Sequence, residues 1–325
     1  MTAIIDRGLG QSVEPYESEE RPDPQRLEIG LVNNMPDSAL RAAERQFHEL
    51  LDSTGVPVRL RLYALPSVAR SPAGEAELAH GYRGLRELLE TPLDALIITG
   101  AEPKSPRLEQ SPYWDDLIEL LNWADRERVA TLWSCLAAHV AALCLDGIER
   151  VPLAVKQSGV FDHVVAGDDP ITEGVGTHFA VPHSRWNDLP GPALAAAGYS
   201  LLVHSESAGV LIAARRDRAL RLLVQGHPEY ETRTLLKEYQ RDVGRYLRGE
   251  QPHYPTAPSG YFTASGQTHL DAFRQRAEAD REPELISEFP YTSLAAGLRN
   301  RWRPQARTLF RNWLTLVAAA RAKAK

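Results

Sequence analysis

Cys135, His227 and Glu229 are the residues of this sequence whose types and spacing suit nucleophilic chemistry. Cys135 follows Val129-Ala-Thr-Leu-Trp-Ser134, an apolar run short enough to be a strand buried on both faces. Leu136-Ala-Ala-His-Val-Ala-Ala-Leu-Cys-Leu-Asp146 comes next, rich in helix formers and closed by Gly147, which predicts a buried helix with a C-terminal stop. A side chain at such a strand-to-helix turn stands over the carboxyl edge of a sheet, where open α/β folds bind ligands. A thiol there also faces unsatisfied N–H groups and the positive end of the helix, a setting that favours the thiolate. An average buried Cys is structural. A second stretch, Arg221-Leu-Leu-Val-Gln-Gly-His227-Pro-Glu229-Tyr230, tips the balance. Residues two apart in an extended segment project to one side, so His227 can act as base while Glu229 orients it.

The elements around these residues alternate. Leu27–Asn33, Val56–Tyr63 and Leu93–Gly100 read as strands, and Asn34–Leu51, Leu85–Leu89 and Trp114–Arg126 as helices. Asp37 or Ser38 can cap the first helix, and Ser71–Gly84 reads as loop. The expected fold is α/β: a doubly wound, mostly parallel sheet with helices on both faces. Beyond Gly147, segments 153–163 and 176–185 read as a second sheet region, and 201–205 with 210–214 as a hairpin leading to the His227 strand. Thr232–Leu247, Thr268–Glu282 and Pro304–Lys323 read as helices, the last two forming a C-terminal helical extension. The expected organisation is a flexible arm at 1–26, a main domain at 27–250, and a linker with C-terminal helices at 251–325.

The 325 residues, 43% of them hydrophobic, suffice for a substantial core. A formal net charge of -6 points to neither nucleic acid nor an anionic membrane, and no apolar run could span a bilayer. The first residues lack the basic region and apolar core of a secretory signal. Two cysteines, nine residues apart along one expected helix, cannot bridge each other, so a reducing cytoplasmic setting is expected. His163, His178, His183 and His204 show no metal-ligand spacing, so neither a metal nor a bound cofactor is expected. A histidine at position 139, one turn into the helix, reads as packing.

Several further pieces occur in order: Asn34-Met-Pro36, Thr99-Gly-Ala101, Tyr113-Trp114, Lys156-Gln-Ser-Gly159, Pro182-His-Ser-Arg185, Gly226-His-Pro-Glu-Tyr230, Glu238, Arg241-Asp242 and Asn312-Trp-Leu314. With Cys135 they resemble the homoserine O-succinyltransferase (MetA-type homoserine O-acyltransferase) family, over roughly residues 27–250 and again near the C-terminus. The resemblance implies a flavodoxin-like fold similar to class I glutamine amidotransferases. It also implies ping-pong transfer of an acyl group from acyl-coenzyme A to the hydroxyl of homoserine, in methionine biosynthesis. Cys135 would carry the acyl group, His227 relay protons and Glu229 hold the imidazole. Arg185 and Arg241 would hold the amino-acid carboxylate and Glu238 its ammonium. Lys156 and Ser158 would lie on the substrate side, and the N–H groups of Leu136 and Ala101 would form the oxyanion hole. The expected partners are small molecules only, acyl-coenzyme A being a co-substrate, and the assembly a homodimer.

The sequence departs from the family in places. Asp37-Ser38 stand where the family often has a lysine pair. Lys104 occupies the position that helps choose the acyl group, and a cation there favours succinyl over acetyl, with Glu102 partly offsetting it. Three alternatives stay open: a glutamine amidotransferase or amidase on the same scaffold, a serine or other hydroxy-amino-acid acyltransferase, and a binding protein without chemistry. Trp133 and Ala137 flank Cys135 where amidotransferases normally place glycines, which favours acyl transfer.

Overall fold

A computed structural model describes residues 2–6, 25–100 and 107–324. The strands are β1 (Ala3–Asp6), β2 (Leu27–Val32), β3 (Val58–Tyr63), β4 (Ala95–Thr99), β5 (Ala130–Ser134), β6 (Val151–Val165), β7 (His178–Asp188), β8 (Ser200–Ser205), β9 (Gly209–Arg216) and β10 (Leu220–Val224). The helices are α1 (Leu40–Ser53), α2 (Pro72–Leu78), α3 (Leu85–Glu90), α4 (Trp114–Arg126), α5 (Leu136–Asp146), α6 (Gly191–Ala196), α7 (Thr234–Leu247), α8 (Ala264–Ala279), α9 (Tyr291–Gly297) and α10 (Arg303–Ala324).

All ten strands join one sheet in the order β1-β3-β2-β4-β5-β10-β9-β8-β6-β7. Pairing is parallel from β1 to β10 and antiparallel from β10 to β7. The expected doubly wound sheet is present, and what reads as a second sheet region is the antiparallel half of the same sheet. Side-chain alternation splits the core into two layers. Leu31, Ile97 and Leu132 pack with Phe47 of α1 and Trp313 of α10 on one face. Val32, Ile98 and Trp133 pack with residues of α3, α4, α5 and α6 on the other. A third cluster joins α7, α8 and α9 to Val160 of β6 and Ala180 of β7.

Other expectations need correction. Within the segment read as a loose arm, Ala3–Asp6 extends the sheet at its edge. Asp52, at the end of α1, holds this strand by accepting from the N–H groups of Thr2 and Ala3 at 2.6 and 2.9 Å. The segment read as loop at 71–84 contains α2, started by Ser71 as N-cap and Pro72 at its first position. Its residues are mostly exposed and make no apolar stripe, which hides it from periodicity.

Three buried histidines in and beside the sheet carry no exposed surface to speak of. His163 Nδ1 lies 2.9 Å from the Phe161 carbonyl, to which it must donate. Its Nε2 therefore accepts from His183 Nε2 at 3.0 Å, and His183 Nδ1 accepts from Arg185 Nε at 3.3 Å. Burial pushes His139 down to about 3 and His163 down to about 4. Burial, with the nearby His163 and Arg185, holds His183 well below the usual range. These three stay neutral in the folded chain but protonate near pH 6.5 once unfolded. The unfolded state then binds more protons below that pH, so stability falls as pH falls. We expect the urea midpoint to drop between pH 7 and pH 5, with uptake of about three protons from these groups on unfolding at pH 5. An unchanged midpoint would contradict their neutrality.

Candidate active site

Strands β5 and β10 are parallel neighbours with Val224 opposite Ser134. The residues that follow each strand therefore emerge side by side at one edge of the sheet. Cys135 adopts φ 52° and ψ -115°, and its N–H donates to the Val224 carbonyl at 2.7 Å. Positive φ is unfavourable for a residue with a Cβ and stores on the order of 1–3 kcal/mol. The turn is held against that strain by the β10 carbonyl behind it and by α5 in front, where the Ala138 N–H donates to the Cys135 carbonyl. Leu136 is the first residue of α5, so its amide has no earlier helical turn to bond.

Gly100, at the end of β4, closes this turn from the side. A Cβ there would lie 2.4 Å from the Leu136 Cβ and 2.9 Å from the Ala137 nitrogen. Gly100 can lie this close to the start of α5 only because it has no Cβ. Asn34, in the loop after β2, is tied to the same place: its N–H donates to Thr99 Oγ1 at 2.8 Å and its side chain to the Thr99 carbonyl at 3.0 Å.

From β10 the chain passes Gly226, where a Cβ would meet His183 Nε2 at 2.8 Å, and reaches His227, whose N–H donates to the Pro182 carbonyl at 2.8 Å. His227 Nδ1 donates to Glu229 Oε1 at 2.8 Å, both groups being buried. That fixes the tautomer, and the ring lies close enough to Cys135 for the sulfur to act on it. Burial disfavours charge on His227, but the Glu229 carboxylate and the Cys135 sulfur outweigh it and hold the imidazole well above its usual range. Tyr230 stacks on the ring with centroids 4.1 Å apart and planes 17° from parallel. Its hydroxyl donates to Glu238 Oε1 at 2.6 Å, and Ser184 Oγ donates to Glu238 Oε2 at 2.6 Å.

Cys135, His227, Glu229 and Leu136 thus meet, with Glu238 one residue beyond the imidazole. Lys156 and Arg241 meet at Asp242: Lys156 Nζ donates to Oδ2 at 2.8 Å, and Arg241 Nε and one terminal nitrogen donate to Oδ1 at 3.0 and 2.9 Å. Burial disfavours the Asp242 anion, but Lys156 and Arg241 keep its carboxyl below the usual range. Ser158 pairs with Ser184 across β6 and β7. Arg185 differs from what its expected role needs. It is buried, and its guanidinium donates to the carbonyls of Asn187 and Ala208 at 2.6 and 2.7 Å and pairs with Asp188 at 2.9 Å. The charge is felt at Cys135, but the fork faces inward, because Arg185 alternates with Ser184 on the strand and only the latter points toward α7. Ala101 and Lys104 lie outside the described residues. Ser184, Tyr230 and Asp242 join the site without being evident as site residues from sequence, although all three lie within the motifs; strand alternation is the signal that separates Ser184 from Arg185.

Among the described residues no cluster of three or more His, Cys, Asp or Glu is placed to hold a metal, and no helix is long and apolar enough to cross a membrane. Against known families, residues 12–323 match the model described as homoserine O-succinyltransferase. Similar curated proteins include the homoserine O-succinyltransferase of Rhodopseudomonas palustris, 48% identical over 90% of this chain and 89% of that protein. That of Bradyrhizobium japonicum is 45% identical over 91% of each. Among solved structures, a glutamine amidotransferase from Thermotoga maritima aligns with TM-score 0.49 and 12% identity over 90% of this chain and 98% of that one.

The strain at Cys135 gives a prediction. Cys135→Gly should be more stable than Cys135→Ala by roughly 1–2 kcal/mol, because only glycine adopts this φ freely. Chemical denaturation of the two variants checks it, and equal stabilities would show that the turn is relaxed.

Proposed function

The chain belongs to the homoserine O-succinyltransferase family, and from that premise we propose that it takes the succinyl group from a coenzyme A thioester onto Cys135 and passes it to homoserine in a second step. Transfer of succinyl to homoserine follows from the family. The thioester donor, the two-step route and a place in methionine biosynthesis are part of the proposal, as are a homodimer and a cytoplasmic setting. The observation that carries the mechanism is the contiguity of Cys135, His227 and Glu229 at the carboxyl ends of two paired strands.

In the first step the Cys135 sulfur attacks the thioester carbonyl, and the oxyanion forms against the Leu136 amide. As the intermediate collapses, the carbon–sulfur bond to coenzyme A breaks, and the His227 imidazolium gives its proton to the departing thiolate. Glu229 and the Cys135 sulfur both favour that imidazolium beforehand. Acylation caps the sulfur and removes one of those attractions. The same imidazole is then a better base, able to take the hydroxyl proton of homoserine as its oxygen attacks the acyl-enzyme. Cys135 leaves as thiolate and the starting state returns. Arg241, on the half-exposed side of α7, suits the amino-acid carboxylate, and Glu238, fixed by two hydroxyls, suits the ammonium.

Mixing the protein with succinyl-coenzyme A and no acceptor should add one succinyl mass at Cys135, and Cys135→Ala should abolish both adduct and transfer. Transfer surviving in Cys135→Ala would rule out the covalent route. Arg241→Ala should raise the KM for homoserine about 10- to 100-fold with a smaller change in kcat; unchanged homoserine saturation would move the carboxylate pocket elsewhere.

A further inference from the structure

Beyond Ser184, strand β7 runs outward to Trp186, which is 58% exposed. The pairing of β6 with β7 is irregular at this level: Pro152 lies opposite Asn187 and Gln157 opposite Arg185. Residues 153–156 therefore bulge opposite the single residue Trp186. The bulge presents Val155, 60% exposed, and Lys156, which reaches Asp242 on α7.

Two ladders locate the indole. Residues two apart on a strand share a face, and Ser184 contacts Glu238, so Trp186 stands on the face toward α7. Going from Ser184 to Trp186 advances about 6.6 Å along the strand. Going from Glu238 to Asp242 advances about 6 Å along the helix. Because Lys156, in the bulge opposite Trp186, binds Asp242, the two advances run in the same direction. Lys156 thus links the bulge opposite Trp186 to the Asp242 turn of α7, where Arg241 and Arg245 also gather. Their guanidinium nitrogens are 2.9 and 3.7 Å from Asp242 Oδ1, and both side chains are about two-fifths exposed. With the Arg248–Glu250 pair alongside, four cations, Lys156, Arg241, Arg245 and Arg248, face three carboxylates, Asp242, Glu238 and Glu250, so the rim keeps a positive excess.

An open aromatic face beside surplus cations suits a base that stacks and phosphates that pair. We propose that Trp186 and Arg245, flanked by Val155, form the subsite for the nucleotide end of the coenzyme A thioester. Trp186 takes the purine face and Arg245 a phosphate, while Lys156 and Arg241 add charge behind them. The acyl end then points inward, past Ser184 and Glu238 to Tyr230 and the imidazole it stacks on, beside Cys135. This rests on the thioester-donor reading above.

The test compares kcat/KM for succinyl-coenzyme A with kcat/KM for succinyl-pantetheine, which carries the same thioester and no nucleotide. The parent should prefer the full donor. In Trp186→Ala that preference should fall by about 5- to 100-fold, the range seen when a base loses an aromatic platform. Trp186→Phe, which keeps an aromatic face, should retain most of it. Arg245→Ala should lower the preference and weaken the salt dependence of the KM for succinyl-coenzyme A. An unaltered preference in Trp186→Ala overturns the subsite. So does an unaltered preference accompanied by a change in subunit number on ultracentrifugation, which would make the patch a contact between copies. Failure of the parent to transfer from either thioester would instead overturn the donor reading itself.

Discussion

The parallel pairing of β5 with β10 is the constraint on which the site depends. Opposing Val224 to Ser134 places the ends of two strands nearly ninety positions apart in sequence within hydrogen-bonding distance, as the 2.7 Å bond from the Cys135 N–H to the Val224 carbonyl shows. A one-residue slip would turn every side chain of β10 to the opposite face and carry His227 away from the sulfur. The register is held because Leu222 and Val224 must enter one core layer while Leu223 enters the other. The meeting of Cys135 and His227 is therefore a consequence of burying apolar side chains on both faces of the sheet.

Around that pairing, main-chain and ring contacts leave the imidazole little freedom. The His227 amide is tied to Pro182 of β7, Nδ1 to Glu229, and one ring face to Tyr230. The Tyr230 carbonyl accepts in turn from Trp302 Nε1 at 2.8 Å, just ahead of α10. Trp302 belongs to the cluster formed by α7, α8 and α9, so the C-terminal extension supports the turn that carries His227. Rigid supports of this kind matter because small displacements of a reacting group lower rates sharply.

Polar groups deep in the molecule follow the same logic. The His163–His183 pair sits beneath Gly226 and has a single workable direction of donation, ending at the Phe161 carbonyl. Buried polar groups are costly unless satisfied, so a fully directed chain under the His227 turn selects one packing of β7 against the Gly226–His227 segment. Cys144, the other thiol, is half-buried and pushed up to about 12, mainly by burial, which sets it apart from the chemistry proposed at Cys135.

Local pattern alone was enough to determine the Cys135 elbow, the His-Pro-Glu turn and the alternating α/β framework, because strand and helix periodicities and the short i to i+2 spacing are properties of neighbouring residues. The same is true of the helix stop at Gly147, which takes φ 64°. Tertiary structure decided what neighbours cannot encode. It put Ala3–Asp6 on the sheet edge through Asp52, and merged the antiparallel strands into the same sheet. It turned Arg185 inward while Ser184 faced α7, since that choice depends on which face of β7 meets the helix. It also brought Lys156 to Asp242, 86 positions away, which only the packing of α7 against β6 makes possible.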